Sequence, residues 1–105
     1  MKNIRFIALL LLAMVPFLYS CEGSTDVVES GTYQGTIDEV EADKNEIYVK
    51  TADNKVLELY FTDATTLTRN GETVAFDQLH EGGKVEVEVE KVGQRLDPIA
   101  VRILE

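Results

Sequence analysis

Residues 84–91 read Lys84-Val85-Glu86-Val87-Glu88-Val89-Glu90-Lys91. From Lys84 to Glu90 valine occupies every second position and a charged side chain stands at every other one. A helix would spread these valines around its circumference. A strand sends successive side chains to opposite faces, so the valines share one face and the glutamates the other. This stretch is therefore a strand with one dry side and one wet side. The same period of two recurs after it, in Leu96–Leu104, where Ile99, Val101 and Ile103 alternate with Ala100 and Arg102. Before it, Tyr33–Glu41, Glu46–Thr51 and Val56–Phe61 alternate in the same way.

Directly opposed residues of paired strands share a face, so side-chain parity constrains the loops. A two-residue turn at Asp53-Asn54 would set Val49 against Glu58 and bring a charge to the core. A three-residue loop, Asp53-Asn54-Lys55, sets Ile47 against Phe61, Val49 against Leu59 and Thr51 against Leu57. The outer face then carries Tyr48 opposite Tyr60 and Lys50 opposite Glu58. A loop placed one residue earlier keeps the same parity. Asn54 or Lys55 takes the left-handed conformation that such loops require. The last two strands pair Val89 with Ile99, Val87 with Val101 and Val85 with Ile103 around an odd loop at Gly93-Gln94-Arg95. Pro98 then points outward and marks an edge or a bulge.

Asn70-Gly71, flanked by Thr66–Arg69 and Glu72–Ala75, predicts a type I′ hairpin, because both central residues tolerate positive φ. It sets Arg69 against Glu72, Thr68 against Thr73 and Leu67 against Val74. Phe76-Asp77-Gln78-Leu79-His80-Glu81, ended by Gly82-Gly83, reads as one helical turn laying Phe76 and Leu79 over an open end of the sheet. A flat sheet would leave much of this apolar surface wet. The expected fold is all-β: a small barrel of five to seven strands plugged by one short helical turn, its closure removing unpaired edges.

The chain of 105 residues has room for one domain. It opens with Lys2 and Arg5, then runs apolar and uncharged from Phe6 to Tyr19. As a helix these residues would rise about 21 Å at ~1.5 Å each, short of the ~30 Å of hydrocarbon that a spanning helix crosses. The pattern is that of a cleaved secretory signal. It ends in Leu18-Tyr19-Ser20-Cys21, which resembles the lipobox of bacterial lipoproteins, with Leu18, Ser20 and Cys21 at the matching positions. The resemblance implies cleavage before Cys21, acylation of that cysteine and a lipid anchor to a membrane outside the cytoplasm, periplasmic or surface-exposed. The expected division is a signal over 1–20, a flexible, polar tether over 21–30 carrying the lipid, and a folded domain over 31–105.

Without the signal, eight basic residues face 19 acidic ones, a net charge of −11. Such a surface repels phosphate backbones, so nucleic acid is not an expected partner. Gly35-Thr36-Ile37, the stretch from Phe76 through Gly82-Gly83-Lys84-Val85, and the closing Ala100-Val101-Arg102-Ile103 resemble a family of small secreted bacterial domains of unknown function. That resemblance implies an OB-like barrel and brings no catalytic residues. By fold-level analogy, OB-like barrels often bind ligands across their second and third strands.

The inventory of reactive groups is poor. The domain has no cysteine and no serine after Ser30, and its one histidine is His80. A Ser/His or Cys/His pair cannot be assembled, and no enzyme activity is expected. His80 reads as an exposed residue at the end of a turn, and no metal site or cofactor is expected. The acidic stretch from Asp38 to Glu46 lacks the spacing of an EF-hand loop and reads as a solvated, charged turn. Tyr48, Lys50, Glu58 and Tyr60 form the most informative polar face. It can bind a ring, a sugar or a partner's side chain, or simply strengthen the hairpin. The expected role is a membrane-anchored, non-catalytic binding module that meets an envelope protein or a small ligand on this face. The alternative is weak binding of divalent cations.

Overall fold

The protein is described over residues 25–105 by a computed structural model. The expected signal segment and Cys21 lie outside the described residues. Seven strands form one sheet: β1 (Gly31–Glu41), β2 (Glu46–Thr51), β3 (Val56–Tyr60), β4 (Thr66–Arg69), β5 (Glu72–Thr73), β6 (Lys84–Val92) and β7 (Arg95–Ile103). Their order across the sheet is β3-β2-β1-β6-β7-β4-β5, and β4 runs parallel to β7 while all other pairs are antiparallel. β1 is long enough to serve two partners, its first half pairing with β6 and its second with β2. The sheet curls until β3 packs against β7. The fold class is as expected, an all-β barrel-like domain. Closure differs in kind: β3 and β7 meet through side chains, since no ladder joins them.

The valines of β6 are interior up to Val89. Val85, Val87, Val89 and Val101 pack with Ile37, Ile47, Val49, Leu57, Leu59, Leu67 and Leu96. Glu86 and Glu88 stand on the wet side, where Arg102 from β7 meets both. The Asn70-Gly71 hairpin forms as expected, with φ of 53° and 83° and Arg69 opposite Glu72. The helical turn is shorter than expected, a single 3-10 turn over Phe76–Gln78. Leu79 is buried, and Phe76 meets Phe61 edge-to-face at 5.1 Å.

Two registers depart from the expectation. The β2–β3 loop begins one residue early, so Ile47 opposes Leu59 and Val49 opposes Leu57. Thr51 N–H donates to the Lys55 carbonyl, and Asn54 takes the left-handed conformation at φ 65°. On the outer face this shift replaces the expected Tyr48–Tyr60 and Lys50–Glu58 pairs by Tyr48–Glu58, Glu46–Tyr60 and Lys50–Val56. In β6–β7 the loop is two residues, Gly93-Gln94, and a bulge between Glu88 and Val89 brings Val89 opposite Pro98. The extra residue inverts the parity beyond it, because a bulge sets two residues against one. Pro98 is therefore buried, and Ile99, expected in the core, is 39% exposed.

The stretch read as a tether touches the barrel over its second half. Asp26 N–H donates to the Val56 carbonyl and the Asp26 carboxylate accepts from Val56 N–H, covering part of the free edge of β3. Val27 and Val28 pack against the core, and Ser30 accepts from Lys91 N–H. A covered edge is one that cannot recruit another chain's strand.

Candidate functional site

The site is built by cross-strand pairing on the outer surface of β1, β2 and β3. Opposed residues share a face, so the two ladders generate rows. Glu39, Tyr48 and Glu58 form one row, Glu41, Glu46 and Tyr60 the next, and Thr36, Lys50 and Val56 the third. A bulge in β1 at Asp38 is what brings Glu39 and Glu41 onto this face, by shifting the register after Ile37. Four carboxylates and two phenols thus occupy two adjacent rows.

The sequence-expected residues are brought together only in part. Tyr48 is half-buried, and its hydroxyl lies 3.5 Å from Glu58 Oε2, at the outer limit of a hydrogen bond. Tyr60, at the end of β3, is 45% exposed. Lys50 is exposed one row away, opposite Val56, and makes no ion pair with Glu58. None of the ion pairs among the described residues reaches Glu39, Glu41, Glu46 or Glu58. The nearby Arg95 is engaged by Asp97, at 2.7 Å through Nε and 3.2 Å through a terminal nitrogen. That pairing holds the Asp97 carboxyl below its ordinary range and raises Arg95.

Glu46 is the residue that sequence reasoning missed. It sits at the first position of β2, after the exposed 3-10 turn Ala42–Lys44 and the left-handed Asn45. The sequence makes it both the last residue of the acidic stretch from Asp38 and the first of a strand; only 1% of it is exposed and its Oε2 has no hydrogen-bond partner. Burial is the first cause that raises its pKa, and the neighbouring Glu58 adds to it. The hydroxyls of Tyr60 and Tyr48 oppose the rise. In return, both phenols are pushed up to about 12, Tyr48 chiefly by burial and Tyr60 chiefly by hydrogen bonding with Glu58 and Glu46. Glu39 is raised as well, first by its hydrogen bond with Glu41. The available signal was position: Glu46 alternates with the core residue Ile47 and precedes Tyr48, but only the true register sets it under Tyr60.

Two grooves flank Tyr60. One, of about 470 Å³, is lined by Tyr60, Thr62, Glu90, Leu96, Pro98 and Ile99 among others. The other, of about 90 Å³, lies between Thr25–Val27 and the side chains of Glu58, Tyr60 and Leu96. Elsewhere, His80 is exposed as expected, its Nε2 3.3 Å from Glu105. Among the described residues no group of three or more histidine, cysteine, aspartate or glutamate side chains is placed to hold a metal ion.

No protein family matches the chain, and no curated protein does. Among solved structures it is similar to a variant of CusF with Cu(II), from Escherichia coli. The likeness has a TM-score of 0.55 at 11% identity and covers 73% of this chain and 94% of that one. At that identity the likeness shows the fold alone, a small β-barrel. Among the described residues no helix is long and apolar enough to cross a membrane.

Proposed function

We propose that the chain is a lipid-anchored, non-catalytic binding module of the bacterial cell envelope. It is held outside the cytoplasm through Cys21 and receives an envelope protein or small ligand on the face of Tyr48, Lys50, Glu58 and Tyr60. The observation that carries the reading is Glu46, a buried carboxyl on the outer face of the sheet, opposite Tyr60 and next but one to Tyr48, whose Oε2 is left without a hydrogen-bond partner. Buried polar groups are ordinarily satisfied, so one left open on a surface face points to something that completes it. The inventory of reactive side chains supports a non-catalytic role: after Ser30 the sequence holds no serine or cysteine, and His80 is its one histidine.

The test has two parts. Mass spectrometry of the mature N-terminus is expected to find an acylated Cys21, and an unmodified Met1 or bare Cys21 overturns the anchor. Cross-linked recovery of partners from solubilised envelopes is expected to fall several-fold in the double variant Tyr48→Ala plus Tyr60→Ala and to persist in Glu72→Ala on β5. Equal recovery from both removes the face. The second reading is divalent-cation binding, favoured by the four carboxylates on one face and by the Cu(II) of the structural neighbour. Calorimetry with millimolar calcium or micromolar copper(II) decides it.

A further inference from the structure

We propose that the Glu46–Tyr48–Glu58–Tyr60 face binds an organic cation, a guanidinium or alkylammonium group carried by a small molecule or a partner's side chain. This rests on the reading of that face as the binding surface and specifies its ligand.

Glu39, Glu41, Glu46 and Glu58 share one face with no counter-ion from the protein, and the register places Lys50 across from Val56 instead of Glu58. An unpaired buried carboxylate is costly, and a cation that reaches it recovers interaction energy the protein alone leaves unused. Within this cluster Glu46 offers an open acceptor: its side chain is 1% exposed, its Oε2 has no partner, and it lies among Glu58, Tyr48 and Tyr60.

The chemistry of the walls selects the kind of cation. Calcium takes six to eight oxygen ligands, and no three candidate ligand side chains among the described residues are placed around one point. Two phenol rings suit a different guest. Tyrosine faces attract ammonium and guanidinium ions, and guanidinium is weakly hydrated and enters a partly dry site at lower cost than a metal ion. Tyr60 gives the way in, since it is the exposed last residue of β3. The groove beside it sets Leu96, Pro98 and Ile99, which can carry the stem of such a ligand, among the charged Glu90, Arg95 and Asp97, with Arg95 already taken up by Asp97.

The experiment is a heteronuclear NMR titration of the mature domain with methylguanidinium, n-butylammonium, n-butanol, calcium chloride and a short peptide containing one lysine and one arginine. Saturable shifts confined to Tyr48, Tyr60 and Glu46 are expected with the two cations and are absent with n-butanol. Affinity should fall at least tenfold in Glu46→Gln and stay unchanged in Glu86→Gln. Tighter binding of the peptide than of the free amines assigns the cation to a polypeptide partner, and the reverse assigns it to a small molecule. Saturation by calcium alone overturns the proposal in favour of the divalent reading. No response to any probe, with partner recovery still dependent on Tyr48 and Tyr60, overturns the ligand class while the face stands. No response and no such dependence overturn both. A melting curve of Glu46→Gln shows that the variant is folded.

Discussion

Replacing Glu46 by glutamine should make the free protein more stable, and only above the pH at which glutamate ordinarily ionises. Glu46 has its pKa raised from 4.5, first by burial and then by Glu58. An acid raised in the folded state keeps its proton where the unfolded chain has released it. Folding then takes up a proton, so stability is highest at low pH. It falls as pH climbs from the ordinary glutamate value to the raised one, and levels off beyond. Glutamine has the same shape and never charges. An unsatisfied buried polar group costs about 1–3 kcal/mol. The hydroxyls of Tyr48 and Tyr60 already offset part of the cost, and glutamine leaves part of the hydrogen-bond deficit in place, so the low end, about 1 kcal/mol, applies. For a domain of this size that is about 4–8 °C in melting temperature. The assay is thermal unfolding by circular dichroism from pH 4 to 8 at fixed ionic strength. Glu39 and Glu41 from β1, Tyr48 from β2 and Glu58 and Tyr60 from β3 face the same carboxyl, but they are present in both proteins and largely cancel in the difference. The wild-type and Glu46→Gln curves should meet near pH 4 and separate above it, with the exposed Glu72→Gln on β5 tracking wild type. Parallel curves, or a variant that melts lower at pH 8, would refute the reasoning.

Other substitutions test the architecture. Ile99→Ala should change stability by no more than about 0.5 kcal/mol, as for exposed sites, while Leu59→Ala should cost about 2–5 kcal/mol; urea unfolding compares them, and equal losses would deny that the bulge turns Ile99 outward. In Gly35→Ala the new methyl would meet the Lys50 carbonyl oxygen and Val49 Cγ1, so a loss of about 1–3 kcal/mol is expected from overpacking where β1 crosses β2. Gly71→Ala meets nothing within 4 Å, yet its φ of 83° should still cost about 1–2 kcal/mol, and the same denaturant series measures it.

Alternation was enough to find the strands and the parity of the β2–β3 loop, because a one-residue slip would have carried Glu58 into the core. It was not enough to fix the step of two. Shifting β3 by two residues leaves every core residue on the core face, so Leu59 opposite Val49 and Leu59 opposite Ile47 look equally good from sequence. The outer face is where the two registers differ, and that face gives no hydrophobic signal. The bulges fail for a related reason. Parity carries along a ladder only while residues oppose one another singly, and the extra residues at Asp38 and Ile99 invert it. Pro98 did announce the second bulge, as a residue without an N–H should. The candidate site suffers from both faults. Tyr48, Glu58 and Tyr60 were legible as a surface, but the register moved Lys50 away from Glu58 and set Glu46 beneath Tyr60. A residue that looked like part of a wet turn became the one buried charge of the face.

The docked segment 26–30 changes what an anchor at Cys21 would mean. A ten-residue tether leaves a domain free to wander, but the chain is already hydrogen-bonded to β3 at Asp26. From Cys21 to Asp26 a fully extended chain reaches about 17 Å at ~3.4 Å per residue. Thr25, Asp26 and Val27 line the smaller groove with Glu58 and Tyr60. On the proposed anchoring, the binding face and the lipid attachment are therefore neighbours. Quenching of a fluorophore at position 60 by lipid-borne nitroxides in vesicles should exceed that of one at position 72, and equal quenching would count against the arrangement. The carboxylates of the face repel anionic headgroups, so the membrane does not itself occupy the site. A cationic group moving along the bilayer then meets a face held within a short reach of the surface. That position suits capture of a partner resident in the same membrane better than a ligand met in open solution.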